Sequence, residues 1–294
     1  MSKAATAESV TEGVDLSGKL MLVTGVNSGL GQETMRVLCL RGAHVIGAAR
    51  TLEKAEAACA QIDGETTALA CELSDLESVA TAAKRVAAQH STLDAVICNA
   101  GIMALPELKQ AHELEMQFLC NHVGHFLLLR ILQPLIERAE QGRVVLVSSD
   151  GHRHTVKGGV NFDNLDGAQA YDGWRFYGQS KLANILTAKA LAEQFAGSAA
   201  TANAVHPGVI RTNLSRNMKG LFSRVIGLFA PLFEKTIAEG AATQVYLAAN
   251  PDAAQHNGCY FSDVATKTPS KYGQDTSMQR KLWQVSNELI EHYL

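Results

Sequence analysis

The hydrophobic pattern of the chain is a repeated alternation. Residues 19–24 form a short apolar run ending in Gly25-Val26-Asn27-Ser28-Gly29-Leu30-Gly31, after which apolar positions recur with helical spacing to about Arg41. A strand, a tight loop and a helix are predicted in that order. The next run, residues 44–49, stops at Arg50, and Thr51 is placed to cap an alanine-rich helix towards Ile62. Residues 66–71 predict a third strand. Ser74-Asp75-Leu76-Glu77 then has capping-box spacing before a helix to about His90. A fourth strand over 93–98 runs into Asn99-Ala100-Gly101, and a long helix follows over 114–138, with Pro134 expected to kink or break it. Residues 144–148 are a nearly pure apolar fifth strand, residues 150–174 are loop-rich, and the next helix carries Tyr177 and Lys181. A strand over 201–205 stopped by His206-Pro207-Gly208, a helix over 239–249 and an edge strand over 258–261 complete the pattern.

Such apolar runs suit parallel strands buried on both faces. No solenoid-length repeat, low-complexity block or Pro/Gly/Ser-rich linker divides the chain. The economical fold is one doubly wound α/β domain over residues 16–294, with a mostly parallel sheet. Residues 1–15, small, polar and acidic, are expected to form a flexible arm. In doubly wound folds ligands bind at the carboxyl ends of the strands. Every chemically suggestive segment here (25–31, Arg50, 99–101, 148–149, 207–212) follows a strand, so one cleft is expected.

Composition narrows the function. With 294 residues, 47% hydrophobic and 19% charged, the chain can bury a sizeable core. A net charge of -3 and the lack of a basic run remove the electrostatic case for nucleic acid. The six cysteines form no CxxC pair and several sit in apolar runs, so reduced, packed thiols are expected. The start of the chain shows no signal pattern. The longest greasy stretch, 221–233, is interrupted by Ser223 and Arg224 and falls short of the roughly 20 residues of a bilayer span. No membrane span and a cytoplasmic setting are expected.

Gly25, Gly29 and Gly31 give a TGxxxGxG loop between strand and helix, where the backbone can approach a pyrophosphate and the helix N-terminus faces the anion. A turn without a ligand is the plain alternative. Where NAD sites place an acidic residue after the second strand, this chain has Arg50, which suits a 2′-phosphate and points to NADP(H) over NAD(H). Its alternative is a solvated arginine. Tyr177 and Lys181, four residues apart, share a helix face, so a phenol and an ammonium could act on one substrate; the plain alternative is a surface lysine beside a packed tyrosine.

TGVNSGLG (24–31), CNAG (98–101), NHVGHF (121–126), VSS (147–149), YGQSK (177–181) and HPGVIRT (206–212), in that order, resemble the short-chain dehydrogenase/reductase family with its single Rossmann domain. NHVGHFLL, YGQSKLANIL, VHPGVIRTNL and YFSD resemble its retinol-dehydrogenase-like branch in particular. The resemblance implies a catalytic set of Tyr177 as proton donor and acceptor, Ser149 holding the substrate oxygen, Lys181 beside Tyr177 and the nicotinamide ribose, and Asn121 supporting a relay water. Ser148 is the competing serine. For the cofactor it implies Gly25, Asn27, Ser28, Gly29, Leu30, Gly31, Arg50, Glu72, Leu73, Asn99, Ala100, Gly101, Tyr177, Lys181, Pro207, Gly208, Ile210 and Thr212. Glu72 stands where the family has an Asp towards the adenine, and Cys98 replaces the first Asn of NNAG.

The pairs His122/His125 and His152/His154 lack a zinc-like set of further ligands, and no metal is expected. The greasy stretch Leu221, Phe222, Val225, Ile226, Leu228 and Phe229 reads as a core helix or, through the resemblance, as part of a substrate lid over 211–236. A lid of that composition implies a bulky apolar or aromatic substrate, with Tyr171 and Trp174 as another wall. The expected function is interconversion of a hydrophobic alcohol with an aldehyde or ketone using NADP(H), in a homodimer or homotetramer. A catalytically silent dinucleotide-binding or sensing protein is the alternative; an epimerase or dehydratase fits the glycine spacing poorly.

Overall fold

A computed structural model describes residues 4–208 and 235–294. Along the chain the strands are β1 (Leu20–Thr24), β2 (His44–Ala49), β3 (Thr66–Ala70), β4 (Ala95–Cys98), the short pair β5 (Gln110–Ala111) and β6 (Leu114–Glu115), β7 (Arg143–Val147), β8 (Thr201–His206), β9 (Tyr260–Ser262) and β10 (Ala265–Lys267). Eight of them make one sheet in the order β10-β9-β8-β7-β4-β1-β2-β3. Neighbours are parallel throughout, except that β10 returns antiparallel beside β9. β1 leads outward to β2 and β3, whereas β4 lies on its other side, so the order reverses at β1/β4 and a crevice opens at the carboxyl ends there.

The helices are α1 (Gly29–Leu40), α2 (Leu52–Cys59), α3 (Leu76–Gln89), the single turn α4 (Met116–Phe118), α5 (Gly124–Arg138), α6 (Gly173–Gln194), α7 (Ile237–Ala249) and α8 (Thr276–Ile290). They cover both faces of the sheet. Leu22, Val96 and Leu146 pack towards α3, α5, α6 and α8, while their strand neighbours Val23, Ile97 and Val145 pack towards α1, α2 and α7. This two-sided burial is the reason the strands read as unbroken apolar runs.

Several expectations are corrected. The arm is not loose where the structure describes it: Ala7 and Thr11 are fully buried, and Arg41 donates to Thr11 Oγ1 (3.0 Å) and to the Glu8 carbonyl (2.9 Å). Its apolar residues join the core cluster of α1 and α7, a gain that composition does not display. Asp75, not Ser74, caps α3, accepting from the Glu77 and Ser78 amides, because Ser74 is held by Glu72. The helix expected over 114–138 is three pieces: β6 with the turn α4, a π-helical segment Leu119–Val123, and α5, which runs through Pro134 without ending. Burial of Leu127, Leu128, Leu132, Leu135 and Ile136 on both sides of the proline holds α5 together. The strand expected over 258–261 is not an edge, since β10 lies outside it.

Candidate active site

At the nucleotide end the backbone does the shaping. Gly25 (φ 75°) and Gly29 (φ 59°) adopt left-handed conformations that favour glycine. A Cβ on Gly31 would collide with the Gly25 carbonyl oxygen, so α1 starts in direct contact with the loop. Ser28 at the N-cap makes no side-chain bond to the first turn. The helix therefore offers unpaired N–H groups and its positive dipole end to an anion. Asn27 and Ser28 are exposed at the rim, with Leu30 half-buried behind them. The loop is locked to its neighbours: Thr24 Oγ1 accepts from the Asn99 and Ala100 amides (both 3.0 Å), and Asn99 Nδ2 donates to the Thr24 carbonyl (2.8 Å).

Beyond β2, Arg50 Nε lies 2.8 Å from Glu72 Oε2. The other Glu72 oxygen accepts from the Ser74 amide (3.1 Å) and hydroxyl (2.8 Å). Leu73 is buried, and α5 presses its Gly124 so closely on the Leu73 carbonyl that a Cβ there would lie at 2.5 Å.

The reaction end is a buried side-chain network. Asn121 sits within the π-helical segment, a backbone feature frequent at functional sites. Its Oδ1 accepts from the Ile102 amide (2.8 Å), and its Nδ2 donates to the Ile102 carbonyl and to Ser180 Oγ (both 2.9 Å). Ser180 in turn donates to the Tyr177 carbonyl (2.8 Å). Lys181 Nζ donates to the Val147 carbonyl at the end of β7 (2.9 Å) and stands 5.7 Å from the centre of the Tyr177 ring. Gly101 lies against both Asn121 Oδ1 and Lys181 Nζ, at 3.0 and 3.4 Å from where its Cβ would be. Thus β4, the π segment, β7 and α6 converge.

The two serines after β7 divide their work. Ser148 is buried and donates to the Lys181 carbonyl (2.7 Å), tying α6 to the strand. Ser149 Oγ accepts from the Gly151 amide (3.0 Å), which leaves its own proton to donate. His152, fully buried, fixes the Ser149 main chain: Nδ1 donates to the Ser149 carbonyl (2.6 Å) and Nε2 accepts from the Ser270 amide (2.9 Å). Gly178 lets α6 meet this turn, since a Cβ would lie 2.7 Å from the Gly151 carbonyl oxygen.

Burial sets the electrostatics. It raises the Tyr177 phenol above its ordinary value, opposed by the neighbouring Ser149 hydroxyl. It lowers Lys181 to about 8, with Cys98 acting weakly the other way. The ammonium remains the main form at neutral pH. The thiols of Cys71 and Cys120 are pushed up to about 12 by burial, consistent with packed, unreactive cysteines.

Pro207 and Gly208 leave β8 beside the same cleft edge, whereas Ile210, Thr212 and residues 211–234 of the expected lid lie outside the described residues. Lys235 and Thr236 are described, and Thr236 caps α7 in a reciprocal box with Glu239. Of the two expected wall residues only Trp174 flanks Tyr177, edge to face at 6.3 Å and 46% exposed. Tyr171 instead spends its hydroxyl on the Leu105 carbonyl (2.9 Å). Sequence reading overlooked Thr24, Ser180 and His152. Thr24 and Ser180 lie inside the quoted motifs, and His152 reads in sequence as a histidine satisfied by packing or near the cleft, without a partner named; among the described residues no group of His, Cys, Asp and Glu could hold a metal.

A family model described as short chain dehydrogenase matches residues 19–220, and the chain belongs to that family of oxidoreductases acting on CH–OH groups. Its relatives put it in the retinol-dehydrogenase-like branch. Human retinol dehydrogenase 14 is 36% identical over 295 residues, covering 94% of this chain and 87% of that protein. Short-chain dehydrogenase TIC 32 A, a chloroplastic protein of Brassica napus, is 38% identical over 300 residues, covering 98% and 93%. Among solved structures, an uncharacterised protein from Mycobacterium paratuberculosis matches with a TM-score of 0.78 and 31% identity over 98% of each chain.

Proposed function

We propose that the protein interconverts a hydrophobic alcohol with its aldehyde or ketone using NADP(H), with Tyr177 as the acid/base. The observation that carries this is the buried convergence of Asn121, Lys181 and Tyr177 with Ser149, next to an open helix N-terminus at the β1/β4 crevice. The residues fit a dinucleotide: the glycine turn brings bare backbone to the start of α1, where a pyrophosphate would sit. When bound, the nicotinamide supplies or accepts the hydride.

The chain's own groups supply the rest. Because burial keeps the Tyr177 phenol protonated at neutral pH, the resting site is set to donate a proton to a carbonyl oxygen. The phenolate left behind is stabilised by the Lys181 ammonium within the same low-dielectric pocket. Ser149, its lone pair engaged by Gly151, aims its proton at the substrate oxygen as charge develops there. Asn121, clamped by Ile102 and Ser180, holds its peptide in place for a relay water.

Preference for the phosphorylated cofactor is supported by how Arg50 is held. Glu72 takes only its Nε among the described contacts, so the terminal N–H pair is free to meet a 2′-phosphate. Both Glu72 oxygens are engaged, which weakens a competing claim on a ribose diol. Trp174 beside Tyr177 supports a flat or bulky apolar substrate.

The test is cofactor absorbance with a panel of lipophilic aldehydes, ketones and alcohols, run with NADPH and with NADH. Turnover with NADPH is expected. Nucleotide binding without turnover of any compound would favour the silent binding protein, and a strong NADH preference would refute the role of Arg50.

A further inference from the structure

His125 is wholly buried in the first turn of α5, one helical turn beyond Asn121. Its sequence neighbour His122 points elsewhere: that ring lies between Phe118 and Phe126, with Nε2 2.8 Å from Ser286 Oγ on α8. His125 instead reaches the end of β1. Its Nε2 is 2.9 Å from Thr24 Oγ1, and its Nδ1 is 3.1 Å from the Asn121 carbonyl oxygen.

Counting donors assigns every proton. A carbonyl oxygen only accepts, so Nδ1 carries hydrogen. Thr24 Oγ1 already accepts from the Asn99 and Ala100 amides, so it has its own proton to give. Its alternative acceptor, the Ile97 carbonyl, is more distant at 3.4 Å, so the proton goes to His125 Nε2. Burial holds the imidazole neutral, with its pKa lowered to about 4. The bonds then run in one direction: amides of 99 and 100 to Thr24, Thr24 to His125, His125 to the Asn121 carbonyl.

The circuit closes on itself, because the Asn121 side chain grips Ile102, the residue that follows the same 99–101 turn. We propose that His125 is a positioning residue that locks the Asn121 carbonyl in register with the nucleotide-binding turn through Thr24. Bonds aligned in this way polarise one another. The inference rests on the dehydrogenase reading above for its effect on turnover, but not for its hydrogen-bond pattern.

Two variants separate the links. His125→Phe removes both bonds, whereas His125→Asn places an amide N–H where Nδ1 was and keeps only the bond to Asn121. With rates normalised to bound NADPH, His125→Phe should lose kcat on the order of tenfold at little-changed substrate KM, and His125→Asn, which lacks the link to Thr24, should recover little of it. A structural role alone would change the nucleotide-binding fraction and melting temperature but not the normalised kcat. Wild-type kcat in His125→Phe, or in His125→Asn, would overturn the proposal. Should neither variant fold, nitrogen-resolved NMR of the wild-type imidazole decides: the Nδ1–H tautomer is expected at pH 7, and the Nε2–H tautomer or the doubly protonated ring would refute it. If the wild type turns over no carbonyl compound, the dehydrogenase reading fails, while the tautomer spectrum still tests His125.

Discussion

The two ends of the cleft are made of different materials. At the nucleotide end the working groups are main-chain N–H atoms exposed by Gly25, Gly29 and Gly31, and the side chains there lie at the rim. At the reaction end the working groups are side chains, almost all buried and each held by a named partner: Asn121 by Ile102, Lys181 by Val147, Ser149 by Gly151. A backbone site fails when an atom is added, because there is no room for it. A side-chain site fails when an atom is removed, because the chemistry goes while the shape stays.

The largest expected effect lies at the reaction end. Tyr177→Phe deletes one oxygen, and kcat should fall by about 10²–10⁴-fold while NADPH binding is retained. Equal loss of binding and turnover would erase the distinction between the ends. Gly31→Ala is the mirror experiment: its methyl meets the Gly25 carbonyl, and titration should show NADPH affinity weakened by about 1–3 kcal/mol, with a folded protein by circular dichroism. Arg50→Ala should raise the Kd for NADPH by about tenfold and leave NADH unchanged, the low end for a charge-assisted pair because the Arg50 side chain is 63% exposed.

The smallest effect concerns stability and has an unusual sign. Lys181 is depressed from 10.5 to about 8, so the native state disfavours its ammonium. Between those values the unfolded chain binds more protons, and stability rises with pH across the window. Below pH 8 the full cost is present. Lys181→Met should therefore melt no lower than wild type at pH 7, by a margin of a few degrees at most, and the margin should shrink towards pH 10. A markedly lower melting temperature would show that the bond to Val147 outweighs burial.

The same contrast explains what was legible in the sequence. The glycine spacing, the apolar strand runs and YGQSK are local, so β1, β2, β3 and β7 could be read within a few residues of their true ends, and the Tyr177 helix could be recognised as following the loop over 150–174. What escaped depends on distant partners. The π segment at Asn121 has no local signature, since its bond pattern is set by Ser180 and Ile102. The arm is polar in composition, yet Ala7 finds a place in the core beside α7. His152 and His125 read as ambiguous histidines because what each ring does depends on the distant partners that its two nitrogens meet. Tyr171 looked like Trp174 in sequence, but its hydroxyl had a carbonyl to satisfy.

The central claim is that hydride passes directly to a carbonyl carbon while Tyr177 manages the proton. The most direct measurement uses NADPH deuterated at the transferring face of C4, with any carbonyl compound of the panel that the wild type reduces. One deuterium on the new carbinol carbon is expected in the wild-type product, with labelled product forming at least about 100-fold more slowly from Tyr177→Phe. Label appearing in solvent instead of product, or full labelling by Tyr177→Phe at the wild-type rate, would contradict it.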